Sequence, residues 1–279
     1  MVREQGRGMA RLSVVGADRD TASVGADLRV ESVTHVFETA GGSLMALKDV
    51  SFAVEAGTFV GLVGPSGCGK SSLLLMMAGL LQPSEGQIAV GGNIINEPKP
   101  EEIGVVFQEL SLLPWKTARE NVEFPLYLRG VDRLMREKAA LEMLDLVGLG
   151  DFADRRPHEL SGGMKQRVAI ARGFCQDPEI LLMDEPFAAL DEQTRMTLGD
   201  ELLHIWDRHK KTVVFVTHSL TEAVYLCDKV IVMSARPGRI LKEINIALPR
   251  PRTYEMMATE TFGRLRADIW SLIRDSDRK

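Results

Sequence analysis

The sequence is poor in several things, and each shortage excludes a class of protein. Its three cysteines, Cys68, Cys175 and Cys227, are scattered and odd in number, which argues against a disulfide framework and suits a reducing compartment. None has a second cysteine or a histidine at metal-ligand spacing, so no zinc site is expected. The longest strongly apolar stretch, Leu73–Leu81, runs for nine residues and contains a glycine, whereas a membrane-spanning helix needs roughly 20 apolar residues. Met1–Ala10 carries charge without a following apolar core, so it does not read as a signal peptide. Positive charge is also short. The 34 Lys and Arg are outnumbered by 39 Asp and Glu, for a net charge of −5, and no nucleic-acid partner is expected without a phosphate-neutralising surplus. Internal repeats are lacking as well, so one chain carries one set of functional parts. The expectation is a cytoplasmic protein whose membrane association, if any, runs through a partner.

What remains is an ordinary globular composition, 45% apolar and 26% charged over 279 residues, enough for one large α/β domain or at most two small ones. Residues 1–26 lack periodicity and read as a flexible leader. Leu28–Phe37 and Leu47–Val54 alternate like strands and, joined through Gly41–Gly42, suggest an antiparallel pair. Short apolar runs at Thr58–Val63, Gln87–Val90, Ile103–Phe107, Ile180–Met183, Thr212–Val216, Lys229–Met233 and Ile240–Ile246 read as further strands. Helices are expected over Lys70–Leu81, Arg133–Val147, Ser161–Cys175 (with Ser161 as its cap), Glu192–His209 and Leu220–Leu226, and a last one over Thr253–Arg274. Strands alternating with helices imply a mainly parallel sheet covered on both faces. The helical middle, about residues 109–176, reads as an insertion into a domain of residues 27–250, with 251–279 as a helical tail.

Two motifs carry chemistry. Gly64-Pro65-Ser66-Gly67-Cys68-Gly69-Lys70-Ser71 fills every fixed position of a phosphate-binding P-loop, with Ser72 following, an apolar strand before and a helix after. Small residues let the backbone turn its N–H groups onto phosphate oxygens, and the helix N-terminus adds a favourable dipole. Lys70 is expected to reach the outer phosphates of a nucleotide and Ser71 to ligate Mg²⁺. Cys68 is read as a small residue that fits the loop rather than as a redox switch. Ile180-Leu-Leu-Met-Asp184-Glu185 is a buried strand ending in two carboxylates. Ligands of α/β sheets lie beyond the carboxyl ends of strands, so Asp184 can reach the Mg²⁺ shell and Glu185 can orient or deprotonate an attacking water.

Leu160-Ser161-Gly162-Gly163-Met164-Lys165-Gln166 resembles the signature segment of ABC ATPases, with Met164 where that family most often has Gln. The resemblance extends over roughly residues 27–250 and implies a P-loop NTPase core with an antiparallel β part and an inserted helical signature subdomain. It also implies roles. Ser161, Gly162 and Gly163 would bind the γ-phosphate of ATP held by the opposite subunit. Gln108 would touch Mg²⁺ and the attacking water, and Asp191, in Ala189-Leu190-Asp191, would communicate across a dimer. His218 would contact the γ-phosphate, and Phe37 would stack on adenine. Leu112–Thr117, Arg236–Ile240 and Leu248–Arg252 look like the nitrate/sulfonate/taurine-type importer subfamily.

The resemblance therefore implies an ATPase with ATP and Mg²⁺ that forms a head-to-tail homodimer when ATP is bound. It would drive an integral membrane permease served by an external substrate-binding protein. Sulfonate, taurine, nitrate, a pyrimidine precursor or an aromatic acid are all possible solutes. An ABC ATPase of translation or repair would carry a second cassette or long coiled-coil insertions, and a GTPase would carry Asn-Lys-x-Asp; neither feature is present.

Overall fold

The computed structural model describes residues 25–39 and 42–276. The leader expectation for residues 1–26 thus lies outside the described residues except at its end. There Gly25 donates to Lys210 O, and Ala26 O accepts from Thr212 Oγ1 at 2.6 Å. Gly25 sits so close to Thr212 and Glu179 that a Cβ would collide with both.

The strands are β1 (Leu28–Thr39), β2 (Gly42–Val54), β3 (Phe59–Val63), β4 (Glu85–Val90), β5 (Asn93–Ile94), β6 (Ile103–Val106), β7 (Ile180–Asp184), β8 (Thr212–Val216), β9 (Lys229–Met233) and β10 (Ile240–Asn245). The helices are α1 (Lys70–Met77), α2 (Ala118–Val122), α3 (Phe124–Leu128), α4 (Arg133–Leu146), α5 (Gly162–Cys175), α6 (Glu192–His209), α7 (Leu220–Leu226) and α8 (Glu260–Ser276). They build two sheets, one antiparallel in the order β2-β1-β4-β5 and one in the order β10-β9-β3-β8-β7-β6. In the second sheet every pairing from β9 to β6 is parallel, and β10 adds an antiparallel edge.

The parallel strands explain their own continuous apolar runs. Phe59 and Val63 of β3, Leu181 and Met183 of β7, and Val213 and Phe215 of β8 belong to one core, shared with α5, α6, α7 and α8. The alternate residues, Val60, Leu62, Ile180, Leu182, Val214 and Val216, belong to a second core with α1 and the antiparallel sheet. Successive side chains of a strand point to opposite faces, and both faces here are covered, so the strand interiors are apolar and the polar residues Asp184, Thr212 and Lys229 fall at strand ends.

Three local departures from the sequence reading have physical causes. The helix expected over Lys70–Leu81 stops at Met77, because Gly79 turns to φ 73° and the N–H groups of Leu80 and Leu81 fold back onto Leu75 O. The tail expected as one helix over Thr253–Arg274 is a 3₁₀ turn (Tyr254–Ala258) followed by α8. Thr259 separates them, and its hydroxyl accepts from Phe262 N–H. Two short helices, α2 and α3, lie within the helical middle expected at about 109–176 but were not among the helices placed individually. Each is five residues long, below the length at which periodicity is visible. Thr117 and Glu120 nevertheless form a reciprocal capping box at the start of α2, a sequence signal of Thr-x-x-Glu type.

Candidate active site

Parallel pairing brings the carboxyl ends of β3, β8, β7 and β6 to one edge, and the residues that follow each strand converge there. From β3 comes the loop 64–72 and from β6 comes Gln108. From β7 come Asp184 and Glu185, and from β8 comes His218. A cavity of about 380 Å³ at this edge is lined by Phe37, Leu44, Ala46, Ser66, Gly67, Gly69, Lys70, Ser71, Ser72, Gln108, Glu185 and Arg236.

The loop is held by its own lysine. Lys70 Nζ donates to the carbonyls of Gly64 and Pro65, both at 2.9 Å, and the side chain is buried. Cys68 is fully buried, its Sγ 3.8 Å from Lys70 Nζ, and burial pushes its thiol pKa up. Its side chain is absent from the cavity lining, which leaves the backbone as this residue's means of reaching a ligand. Gly67 and Gly69 adopt φ 73° and 100°, in a region that only glycine occupies without strain.

Ser71 Oγ donates to Asp184 Oδ1 at 3.1 Å. Burial raises the Asp184 pKa, and the Ser71 hydrogen bond and the charge of Lys70 offset this only in part. A hydroxyl and a desolvated carboxylate side by side are a fitting donor set for Mg²⁺, which prefers oxygen ligands and keeps waters and substrate phosphates as the others. Among the described residues no group of three or more His, Cys, Asp or Glu could hold a metal alone.

Glu185 follows β7 at φ 43°, an uncommon backbone conformation for a residue with a side chain. It is pinned there by its N–H to Val216 O at 3.0 Å. Its Oε2 lies 3.0 Å from His218 Nδ1. Glu222 lies nearby in the first turn of α7. It accepts from Thr217 Oγ1 at 2.5 Å and faces Arg195 at 3.3 Å.

Phe37 reaches the cavity from β1, and its ring meets that of His35 edge-on, with centroids 4.4 Å apart and planes at 85°. His35 is buried, with Nδ1 3.5 Å from Ser84 Oγ and Nε2 unpartnered among the described residues. Burial lowers its pKa from 6.5. The unfolded chain therefore takes up this proton first, and the stability His35 contributes is lost as pH falls through 6.5 toward the lower folded value. Between about pH 7.5 and 5.5 the wild-type Tm should fall further than that of His35→Gln, as thermal unfolding of both proteins would show. Equal losses would mean that His35 does not sense the change.

The signature residues lie elsewhere. Ser161 caps α5 by accepting from Met164 N–H at 3.3 Å, leaving Gly162 and Gly163 in the first turn. Asp191 caps α6 through Thr194, and a Cβ on Gly163 would stand 3.0 Å from Thr194 Cγ2. The two helix starts are thus neighbours, and none of Ser161, Gly162, Gly163 and Asp191 lines the cavity described above. The sequence reading missed Arg236 as a site residue. Its guanidinium lines the cavity from the turn between β9 and β10 and holds Gly67 O.

A phosphate loop facing strand-end carboxylates on a parallel sheet defines a P-loop nucleoside triphosphatase. Comparison with known proteins narrows this class. Residues 47–188 match the ABC transporter family. The chain is 51% identical over 248 residues to an uncharacterized ABC transporter ATP-binding protein of Methanocaldococcus jannaschii, covering 89% of this chain and 91% of that one. It is 44% identical to the nitrate import ATP-binding protein NrtD of Synechocystis, covering 88% and 95%. It is 42% identical to the aliphatic sulfonates import ATP-binding protein SsuB of Bacillus cereus, covering 86% and 93%. Among solved structures, a dimeric ATP-binding cassette in a post-hydrolysis state with ADP and Pi matches with a TM-score of 0.71 at 34% identity, covering 80% of this chain and all of that one. The chain belongs to the ABC transporter family and is an ATP-binding subunit with ATPase activity.

Proposed function

We propose that this chain is the motor subunit of an ABC-type importer for a small anion such as a sulfonate, taurine or nitrate. The observation that carries the reading is the division of the machinery within one chain. The loop, Gln108, Glu185 and Phe37 share a cavity, while Ser161, Gly162, Gly163 and Asp191 form a second surface around two neighbouring helix starts. Two chains packed head to tail would bring each surface to the other's cavity and enclose two ATP molecules. The capped start of α5 would then face a γ-phosphate, the kind of anion a helix N-terminus favours. Ser71, Asp184 and Gln108 would hold Mg²⁺, which would neutralise phosphate charge. Lys70 would leave the loop carbonyls for the outer phosphates, Glu185 would take the proton of the attacking water, and His218 would orient Glu185 and sense the γ-phosphate. Loss of that phosphate on hydrolysis would release the interface.

The importer part of the reading is supported by the relatives named for nitrate and aliphatic sulfonates and by the surface after Gln108. There Trp115, Tyr127, Leu128 and Leu134 are exposed, beside a cavity of about 370 Å³ lined by Lys116, Arg119, Glu123, Tyr127 and Arg136 among others. Exposed aromatic and aliphatic side chains with a charged rim are typical of an interaction site. No helix among the described residues is long and apolar enough to cross a membrane. The chain would therefore act at the cytoplasmic face through a separate permease, with an external protein delivering the solute. The working cassette would be residues 27–250, with the helical part at about 109–176 and the tail at 251–279.

Deleting the gene tests the reading. Cells lacking this chain should fail to grow when nitrate is the sole nitrogen source, or when taurine or an alkanesulfonate is the sole sulfur source. Restoring the chain should return it to the membrane fraction. Unimpaired growth on every anion, with the chain absent from membranes, would instead favour a soluble ABC ATPase uncoupled from transport.

A further inference from the structure

The turn between β9 and β10 is built into the wall of the nucleotide cavity. Ser234 closes it on itself, its hydroxyl donating to Pro237 O at 3.1 Å and accepting from Arg239 N–H at 3.0 Å. The turn is then fastened to β2, where Gly238 N–H donates to Ala46 O at 2.8 Å and Gly238 O accepts from Lys48 N–H at 3.0 Å. It lies so close beneath the phosphate loop that a Cβ on Gly238 would collide with Cys68 O. From this anchored base Arg236 reaches across to Gly67 O, with Nε at 3.2 Å and Nη2 at 2.9 Å. A Cβ on Gly67 would stand only 3.0 Å from Arg236 Nη2, so a side chain there would press on the guanidinium.

This places a second fixed cation beside Lys70. A guanidinium carries more N–H groups than Gly67 O can accept, and no carboxylate pairs with Arg236 among the described residues. Its charge and its remaining donors line the same cavity as Phe37, Lys70 and Ser71. We propose that Arg236 is a further nucleotide-binding residue, clamping the phosphate loop at Gly67 while contributing a hydrogen-bonded positive charge to the phosphate chain of the bound nucleotide. The inference rests on the ATP-site assignment. It gives the Arg-Pro-Gly-Arg turn, which entered the sequence reading only as a subfamily resemblance, a task in the site. Because the contact is available to a diphosphate as well as a triphosphate, it acts on binding rather than on the hydrolytic step, as uniform binding does.

The test is calorimetric titration of the purified chain with Mg·ATP and Mg·ADP, together with steady-state hydrolysis, for wild type, Arg236→Ala and Arg236→Lys. Losing a charge-assisted contact should weaken both nucleotides about tenfold or more and raise KM by a like factor, with kcat near wild type. Arg236→Lys restores the charge but not the fork and should recover part of the loss. Since Arg236 is exposed, the nucleotide-free Tm of both variants should match wild type. Binding of both nucleotides by Arg236→Ala within about twofold of wild type would overturn the inference. A drop in kcat at unchanged KM would do the same. Failure of the wild-type chain itself to bind Mg·ATP would overturn the site assignment on which the inference stands, a distinct result.

Discussion

Glu185→Gln should lower steady-state ATP hydrolysis by about 10²–10⁴-fold while leaving ATP binding intact, so that the variant collects as an ATP-bound dimer. The expectation follows from where the carboxylate is held. The N–H of Glu185 is tied to Val216 O, its backbone sits at φ 43°, and its Oε2 is 3.0 Å from His218 Nδ1. Glutamine keeps the length of the side chain and an oxygen for His218 but cannot take a proton from water. Hydrolysis would be followed by phosphate release, and assembly by size-exclusion chromatography in ATP. Normal turnover by the variant would remove Glu185 from the role of base. A variant that stays monomeric at high protein and ATP concentration would dismiss the shared interface instead.

The largest effect on stability is expected from Trp206→Ala. Trp206 lies on α6 and is buried, its ring edge-on to Phe59 of β3 with centroids 5.7 Å apart. Its Nε1–H donates to Lys211 O at 2.7 Å. The Lys210 ammonium lies 4.1 Å and the Arg250 guanidinium 4.3 Å from its centroid. Arg250 in turn pairs with Asp228, whose other carboxylate oxygen accepts from Phe59 N–H at 3.0 Å. Truncation therefore opens a cavity between helix and sheet and frees the residues that lead into the tail. A loss of about 3–5 kcal/mol is expected, or a Tm lower by about 10 °C. Trp206→Phe, which keeps most of the packing and drops the indole hydrogen bond, should lose about 1 kcal/mol from that bond plus a smaller packing cost. Equal Tm values for Trp206→Ala and wild type in differential scanning calorimetry would refute this account.

The parts of the fold legible in the sequence were those where one local signal suffices. Glu192–His209, Thr212–Val216, Leu220–Leu226 and Lys229–Met233 fall where the residue pattern puts them, since their apolar periods and caps agree with what the neighbouring layers bury. Element ends were less legible. The fold-back at Gly79 and the Thr259 cap depend on backbone geometry that a continuous apolar pattern conceals. The phosphate loop and the carboxylate pair are contiguous motifs, so position along the chain is nearly position in space. Arg236 could not be found this way, because 169 residues separate it from Gly67 and the two meet through the parallel pairing of β3 with β9 and the fastening of the turn to β2. His35 was hidden for a related reason. It is two residues from Phe37 on β1 and so shares its face, but the pattern of the strand does not tell that the two rings meet edge-on or that Ser84 lies against His35.

The anchorage of the tail has a practical consequence for protein engineering. Arg252 is buried, and its guanidinium donates to the carbonyls of Val224 at 2.9 Å and Cys227 at 3.1 Å, so it serves as a cap for the end of α7. Phe262, Ile269 and Ile273 then lay an apolar stripe of α8 into the same core as Phe59 and Phe215. A truncation at residue 250 designed to isolate a minimal cassette would strip that cap and leave an oily trench on the remaining body. Recombinant versions should keep the chain through Ser276 and place affinity tags beyond it.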